Sequence, residues 1–468
     1  MKPRTCRLLQ RSALAAAVAG ISAPASAAFF ALAEQNASGI GTAFAGGAAI
    51  AEDASTVWYN PAGMTRLTRP QLVVAGSYID LSIKTNVISA TSVLGAPIGG
   101  GAGKDPGESG LVPSFYYTHP LTKDFSVGGG INAPFGLKTE YDSTWAGRYH
   151  AIESDIKSVN YNVAGAYKFN DVLSGGVGVN YQHFKATLSQ GIDFATACTL
   201  GTLATPPQPT GACSYGAGFN PGTNPLDGNG RVTASGNAWG YNLGLLAQLQ
   251  NDFRVGVAYR SSIKQALSGD SNITLPVTGN PPVDGTVAAV AAGQKLASGS
   301  ASADVTLPAS FSVSFYQQIG EWALMADVTR TNWSSIPELR IKFGSGQSDS
   351  VTTLNLQNTY RTSVGATYKA NDAWTLRAGL ALDQSPVINA ADRTPRLPDA
   401  DRTWYAIGAG WKASPSLKFD FGYVYIKVDT AQVRKTATTT NENIARGNLS
   451  ADYTGTIQVL SAQASWTF

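Results

Sequence analysis

Charge is scarce in this chain. Asp, Glu, Lys and Arg make up 14% of its 468 residues, which is low for a soluble protein, where roughly a quarter is usual. A soluble chain of this length would also usually divide into two or more domains. Long apolar runs are equally missing. Mean hydropathy is −0.06, and beyond the N-terminus no stretch offers the roughly twenty consecutive apolar residues that a membrane helix needs. Histidine is nearly absent. His119, His150 and His183 lie in different segments, so no nucleophile with a positioned base is visible, and neither an enzyme nor a cofactor is expected. His119, just before Pro120, reads as a solvated turn residue. What the chain does have is 50 glycines and strands that alternate apolar with small polar residues. A membrane β-barrel reconciles low charge with near-zero hydropathy, because lipid-facing and lumen-facing residues alternate along each strand.

The N-terminus reads as an export signal. Lys2, Arg4, Arg7 and Arg11 form a positive region, Leu14 to Ile21 a short apolar core, and Ala25-Ser26-Ala27 a cleavage site. The apolar run is too short for a membrane anchor. Residues 1–27 are therefore expected to be removed. The formal charge of +3 loses those four basic residues and becomes −1, so no basic patch suggests a nucleic-acid partner. Cys6 leaves with the signal. Cys198 and Cys213 remain, in a Pro- and Gly-rich loop. An exported chain meets an oxidising compartment, so a disulfide between them is expected. A metal site is the weaker reading, since no His is near either cysteine in sequence.

Residues 28–70 show no period of two. Small residues dominate in Ser38-Gly39-Ile40-Gly41, Ala45-Gly46-Gly47-Ala48 and Tyr59-Asn60-Pro61-Ala62-Gly63, and the segment reads as a plug within a barrel. From Gln71 to Phe468 the period is two. Phe125, Val127, Gly129 and Ile131 alternate with Ser126, Gly128, Gly130 and Asn132, and Trp239, Tyr241, Leu243 and Leu245 with Ala238, Gly240, Asn242 and Gly244. A soluble sandwich could alternate in this way, but here the second face is small and polar while many residues of the first are aromatic. Short turns fall at 119–124, 170–172, 250–252, 319–321, 371–373 and 414–416. Long polar loops fall near 85–111, 138–155, 188–235, 266–302, 334–357, 385–401 and 429–455. Outer-membrane barrels have short periplasmic turns and long external loops. Seven long and six short connections imply about fourteen strands with both termini periplasmic. Phe125, Phe253, Trp322 and Trp374 follow short turns and fit an interfacial girdle. The chain ends Leu460-Ser-Ala462-Gln-Ala464-Ser-Trp466-Thr-Phe468, which resembles the signal read by barrel-assembly machinery. The expectation is an all-β transmembrane barrel at residues 71–468 in the bacterial outer membrane, in contact with its lipids, and a monomer.

Particular residues narrow this further. Ser38-Gly39-Ile40-Gly41…Gly46-Gly47-Ala48…Asp53-Ala54…Tyr59-Asn60-Pro61-Ala62-Gly63 resembles the N-terminal hatch of the FadL-type long-chain fatty acid transporters (OmpP1/FadL/TodX). So do Ile131-Asn-Ala-Pro134-Phe-Gly136-Leu-Lys-Thr-Glu140-Tyr141, Ser158-Val-Asn160-Tyr-Asn162, Trp333-Ser334, Asp383-Gln-Ser385-Pro386 and Pro398-Asp399-Ala-Asp401-Arg402-Thr-Trp404. The resemblance covers essentially the whole mature chain, although the cysteine loop has no family role assigned to it. It implies a fourteen-stranded barrel with a hatch in its lumen, and passive uptake of a hydrophobic small molecule. It does not separate the fatty acid branch from relatives that take up aromatic hydrocarbons, but the Asn-Ala-Pro-Phe-Gly stretch looks more like the former. A general water-filled porin is the alternative that a plug argues against.

The resemblance also implies roles for residues. Asn60, Pro61 and Ala62 form a gate turn, whose plainer reading is an Asn-Pro turn starter. Pro134, Phe135 and Gly136 form an inward kink in the third strand, expected to face that turn and to open a lateral exit. Without the resemblance they are a strand end, since Pro and Gly both weaken pairing. Inward-reading Arg254, Arg361 and Arg377 are possible partners for a carboxylate. Arg340, just beyond Trp333-Ser334, is the candidate ligand-binding residue, and the alternative is an Arg that is solvated or paired with an acid.

Overall fold

The computed structural model describes residues 29–204, 208–220, 226–250 and 252–468. The expected signal, residues 1–27, lies outside the described residues. Among those described, the strand segments form one antiparallel sheet that closes on itself as a barrel of fourteen wall strands. Closure is made by the first strand, Gln71–Thr91, which pairs along its length with the last, Asn448–Thr467, in register Gln71↔Thr467. A closed barrel satisfies every ladder group inside lipid, where water cannot. No described helix is long and apolar enough to cross a membrane.

The alternation reads out as expected. On the fourth strand, Glu153–Lys168, Val159, Tyr161 and Val163 are exposed on the outer face, while Ser158, Asn160 and Asn162 are buried in the lumen. Short turns and long connections segregate to opposite ends. At the short-turn end Trp374 lies opposite Trp411 and Trp322 opposite Tyr368, so aromatic pairs stand at that rim.

The strands run farther than their sequence suggests. The fifth, Leu173–Asp193, and the sixth, Asp227–Gln250, pair from Leu173↔Ala247 to Asp193↔Asp227. About ten residues suffice to span a bilayer, so both strands continue well past the apolar band. The loop expected at 188–235 shrinks to 194–226. The one expected at 334–357 holds a strand pair, Glu338–Phe343 with Ser350–Thr353. Beyond the apolar band the outer face meets water and turns polar, as at Lys185 and Arg231, while the inner face carries apolar Phe184, Ala186, Val232 and Ala234, so the lipid-facing alternation inverts while the pairing continues.

Inside the barrel, residues 29–67 form three short helical pieces, Ala37–Ile40, Thr56–Tyr59 and Pro61–Arg66, with irregular backbone between them. This hatch is too small for a core of its own. Buried side-chain hydrogen bonds hold it, with Ser38 Oγ and Gln463 Nε2 both donating to Asp53, at 2.9 and 2.8 Å. Its free carbonyls need donors, because unpaired buried backbone groups are costly. The wall supplies guanidinium groups: Arg260 donates to Trp58 O, Arg254 to Ile50 O and Arg361 to Ala43 O. Glycines on the inner wall let the hatch backbone approach. A Cβ at Gly244 would overlap Asn60 Oδ1, and one at Gly379 the Thr42 backbone.

Candidate functional site

Among several breaks in the wall strands, the one in the third strand opens beside the hatch. The third strand runs Phe125–Asn132, breaks, and resumes at Gly136–Glu140. Its first part pairs with both neighbours, up to Phe115↔Ile131 on one side and Asn132↔Asn160 on the other. After the break it pairs only with the fourth strand, from Gly136↔Lys157. Three residues, Ala133, Pro134 and Phe135, therefore stand opposite Ser158 and Val159, which is a bulge. Pro134 has no N–H to give to a ladder. Ser158 Oγ accepts from Phe135 N at 2.9 Å and fixes the turn. Residues 110–114 of the second strand are left without a strand partner on this side, apart from a bridge at Gly107↔Thr139 just beyond them.

The inward-turned segment pairs with the hatch instead. Leu32 N donates to Pro134 O at 2.9 Å, Gly136 N to Phe30 O at 3.0 Å, and Gln35 Nε2 to Ala133 O at 2.9 Å. The start of the hatch thus takes the place of a missing neighbour strand, in the manner of an added β-strand.

A cavity of ≈ 550 Å³ occupies the gap. Its walls include lumenal Phe135, Tyr453 and Arg402, but also Leu111, Ile131 and Val159, which the outer surface exposes at 69%, 44% and 37%. The cavity therefore runs from the lumen to the outer face of the barrel. A second apolar cavity of ≈ 100 Å³ lies beside it, lined by Phe184, Leu267, Ile336 and Leu354 among others. Phe29, Phe30, Leu137, Ile156 and Leu397 line both and form the partition. Trp333 meets Phe29 and Phe30 edge-on at 5.4 and 5.2 Å between centroids, and Phe30 meets Phe135 at 5.6 Å. The hatch residues of this partition carry no apolar period, and sequence reasoning passed over them.

Most cations at the cavities already have acids. Arg402 pairs with Asp399 at 2.7 Å, Lys138 with Glu108 at 3.4 Å and Lys157 with Asp155 at 2.6 Å. Arg396 differs. It lines the smaller cavity and donates to Glu153 O and Ser189 O, both at 3.1 Å, and to Gln190 Oε1 at 2.8 Å. It has no ion-paired carboxylate among the described residues. Burial, with Arg446 nearby, pushes its guanidinium down to about 9, as expected for a desolvated cation.

The other expected residues fall elsewhere. Arg340 lines neither cavity. It is half-exposed and pairs with Glu338 at 2.7 Å and Asp349 at 3.1 Å. Its neighbours Leu339 and Ile341 line the smaller cavity, and the period of two turns Arg340 the other way. Asn60, Pro61 and Ala62 do not face Pro134. Asn60 Nδ2 donates to Ala48 O at 2.7 Å and to Leu245 O of the sixth strand at 2.9 Å, and the turn rests on Gly176 and Gly244. Arg254 and Arg361 serve the hatch carbonyls described above. Arg377 is buried between Asp420 at 2.8 Å and Glu52 of the hatch at 3.2 Å. Cys198 and Cys213 are bonded to each other beneath the helix Pro281–Gly293, sharing a core with Val283 and Val287.

A closed barrel with a hatch in its lumen and an apolar cavity crossing its wall defines a class of outer-membrane channel. The chain belongs to the family described as Outer membrane protein transport protein (OMPP1/FadL/TodX), whose model matches residues 18–468. It is 32% identical over 461 residues to outer membrane protein P1 of Haemophilus influenzae, covering 95% of each. It is 31% identical over 436 residues to the long-chain fatty acid transport protein of Escherichia coli K12, covering 92% of this chain and 94% of that one. Among solved structures, a FadL homologue of Pseudomonas aeruginosa superposes with a TM-score of 0.84 at 26% identity, covering 94% of this chain and all of the other. The toluene transporter TbuX of Ralstonia pickettii, at 19% identity and a TM-score of 0.60 over 91% and 96% of the chains, shares the fold.

Proposed function

We propose that this chain takes up long-chain fatty acids across the outer membrane and releases them sideways into the bilayer. The observation that carries the reading is the ≈ 550 Å³ cavity lined at once by lumenal and lipid-facing residues. A hydrophobe in it leaves toward lipid without crossing water, and each methylene kept from water is worth about 0.8 kcal/mol. On this reading the N-terminus is cleaved after Ala27, the long loops face outward, both termini are periplasmic, and the barrel works as a monomer without a cofactor.

The fatty acid branch is favoured over the aromatic hydrocarbon branch by Arg396. A buried guanidinium without an acid suits a carboxylate, which it binds through both oxygens; a hydrocarbon has no use for it. The head group would sit at Arg396, and the chain would pass the Phe29–Phe30 partition toward the gap. The relatives named for long-chain fatty acid transport support the same choice. Arg340 is not part of this proposal. The test is growth and labelled-ligand uptake in cells that depend on this protein. Oleate uptake is expected, with little toluene uptake; the reverse preference would move the protein to the hydrocarbon branch. Uptake of both alongside open-channel conductance would make it a porin.

A further inference from the structure

At the outer edge of the cavity, the outer face carries an arrangement that uptake does not use. On the fourth and fifth strands Lys157 and Lys185 stand directly opposite one another, both exposed. Like charges in a cross-strand pair are destabilising. Asp155 answers Lys157 at 2.6 Å, but Lys185 has no carboxylate at ion-pair distance among the described residues.

The height of the pair is set by the strands. Lys157 lies ten residues along from Tyr167, near the short turn 169–172. A spanning strand needs about 9–11 residues, so the two lysines sit at the far edge of the apolar band. The register places graded chemistry around them. Two steps toward the short-turn end, Tyr161, Tyr181 and Trp239 form an aromatic row, with centroids 6.4 and 4.9 Å apart. One step away are His183 and Asn237, hydrogen-bonded at 2.8 Å. Level with the lysines are Ser235 and Ser268, and just beyond are Thr233 and, opposite it, exposed Asp270, with Thr187 buried against Thr233. Cations, the Ser235, Ser268 and Thr233 hydroxyls and an aromatic shelf above an apolar wall match an acylated, phosphorylated sugar: phosphate to lysine, sugar to hydroxyls and rings, acyl chains to the wall.

We propose that Lys157 and Lys185 bind the phosphate of an outer-leaflet glycolipid and hold it beside the wall gap. Val159 and Lys157 line the gap cavity, so the acyl chains of such a lipid lie against its mouth, and a departing hydrophobe meets hydrocarbon there rather than a headgroup layer. The inference rests on the outward orientation of the long loops given above.

The experiment uses the mature protein in detergent, exchanged with diphosphorylated lipid A, with its dephosphorylated form, or with inorganic phosphate alone, and read by native mass spectrometry. One diphosphorylated lipid should be retained. K185Q should lower its retention about fivefold, the effect of one basic residue at an anionic lipid surface, and K185E should lower it further. Oleate binding should be unchanged in both variants, since Lys185 lines neither cavity. Equal retention by wild type and K185E, equal retention of the dephosphorylated lipid, or competition by inorganic phosphate at millimolar concentration would overturn the proposal. Wild-type protein that retains lipid A but fails to bind oleate would refute the uptake reading and leave this one standing.

Discussion

The backbone N–H of Leu32, in the hatch, donates to the carbonyl of Pro134, in the wall, at 2.9 Å. The bond joins the segment that fills the lumen to the segment that opens the wall. Any movement of residues 30–35 therefore acts directly on the gap, through contacts that also include Gly136 N to Phe30 O.

This coupling makes Gly136 sensitive. A Cβ there would lie 2.9 Å from Leu32 Cδ1, so Gly136→Leu forces Leu32 to shift or fills the mouth of the cavity. Overpacking costs about 1–3 kcal/mol of local stability, and the added side chain narrows the mouth of the cavity. Uptake should fall while the amount of heat-modifiable barrel at the cell surface stays normal. Normal uptake in this variant would count against a lateral exit here.

Gly244 tests the seat of the hatch at the other side of the lumen. A side chain there overlaps Asn60 Oδ1 and crowds Pro61, so Gly244→Val should lift the Asn60-Pro61-Ala62 turn off the wall. Planar-bilayer recordings should show larger or more frequent open-channel currents than wild type. A silent variant would mean that the hatch can relax around the added methyls.

Arg396→Gln should weaken binding of a fatty acid by about 1.5–3 kcal/mol, the range for a hydrogen bond to a charged group, and leave a hydrocarbon of equal length unaffected. Calorimetry with both ligands measures the difference. Equal losses would assign Arg396 to the shape of the cavity instead of the head group. Arg340→Gln, at the surface ion pair with Glu338 and Asp349, should change neither affinity.

The Cys198–Cys213 bond closes a loop of sequence separation 15. Its loss should destabilise the loop region by about 3 kcal/mol. Faster proteolysis within 194–226 in a double Cys→Ser variant, with an intact barrel fragment left behind, would show this. Free thiols in the native protein would contradict the bond itself.

His150 gives the long-loop end a pH dependence. It is buried, and its Nε2 donates to Gly447 O at 3.2 Å. Burial, then Arg446 and Lys435, hold its pKa well below the ordinary value. An opened loop binds a proton that the closed loop does not, so the contribution of His150 is complete above about pH 6.5. As pH falls below that value it is lost, by up to about 1.4 kcal/mol per unit. Amide exchange in 141–152 and 436–447 should therefore accelerate on acidification, and His150→Gln should flatten the dependence.

Much of the fold could be read from residues in order. The strands showed because lipid on one side and the lumen on the other impose a period of two, as in Val159, Tyr161 and Val163 against Ser158, Asn160 and Asn162. The break at Pro134 showed because proline cannot donate to a ladder. The site was less legible. Phe29 and Phe30 sit in a segment without period. Arg396 lies in a loop between Pro395 and Leu397, where nothing local reveals burial. Arg340 follows from resemblance alone, within a stretch that reads as loop; once Glu338–Phe343 is paired, alternation turns it away from the cavity that Leu339 and Ile341 line.

Sequence alone determined the alternation, the turns, the glycine-rich inner face and the proline break, since each is a property of adjacent residues and of the solvent they meet. Tertiary structure alone decided partners: that Pro134 faces Leu32 and not Asn60, that Arg254, Arg361 and Arg377 serve the hatch, and that Arg396 meets no acid among the described residues. Those choices depend on which groups a closed barrel brings together from distant positions, and on the requirement that every buried carbonyl and charge find a partner across the lumen.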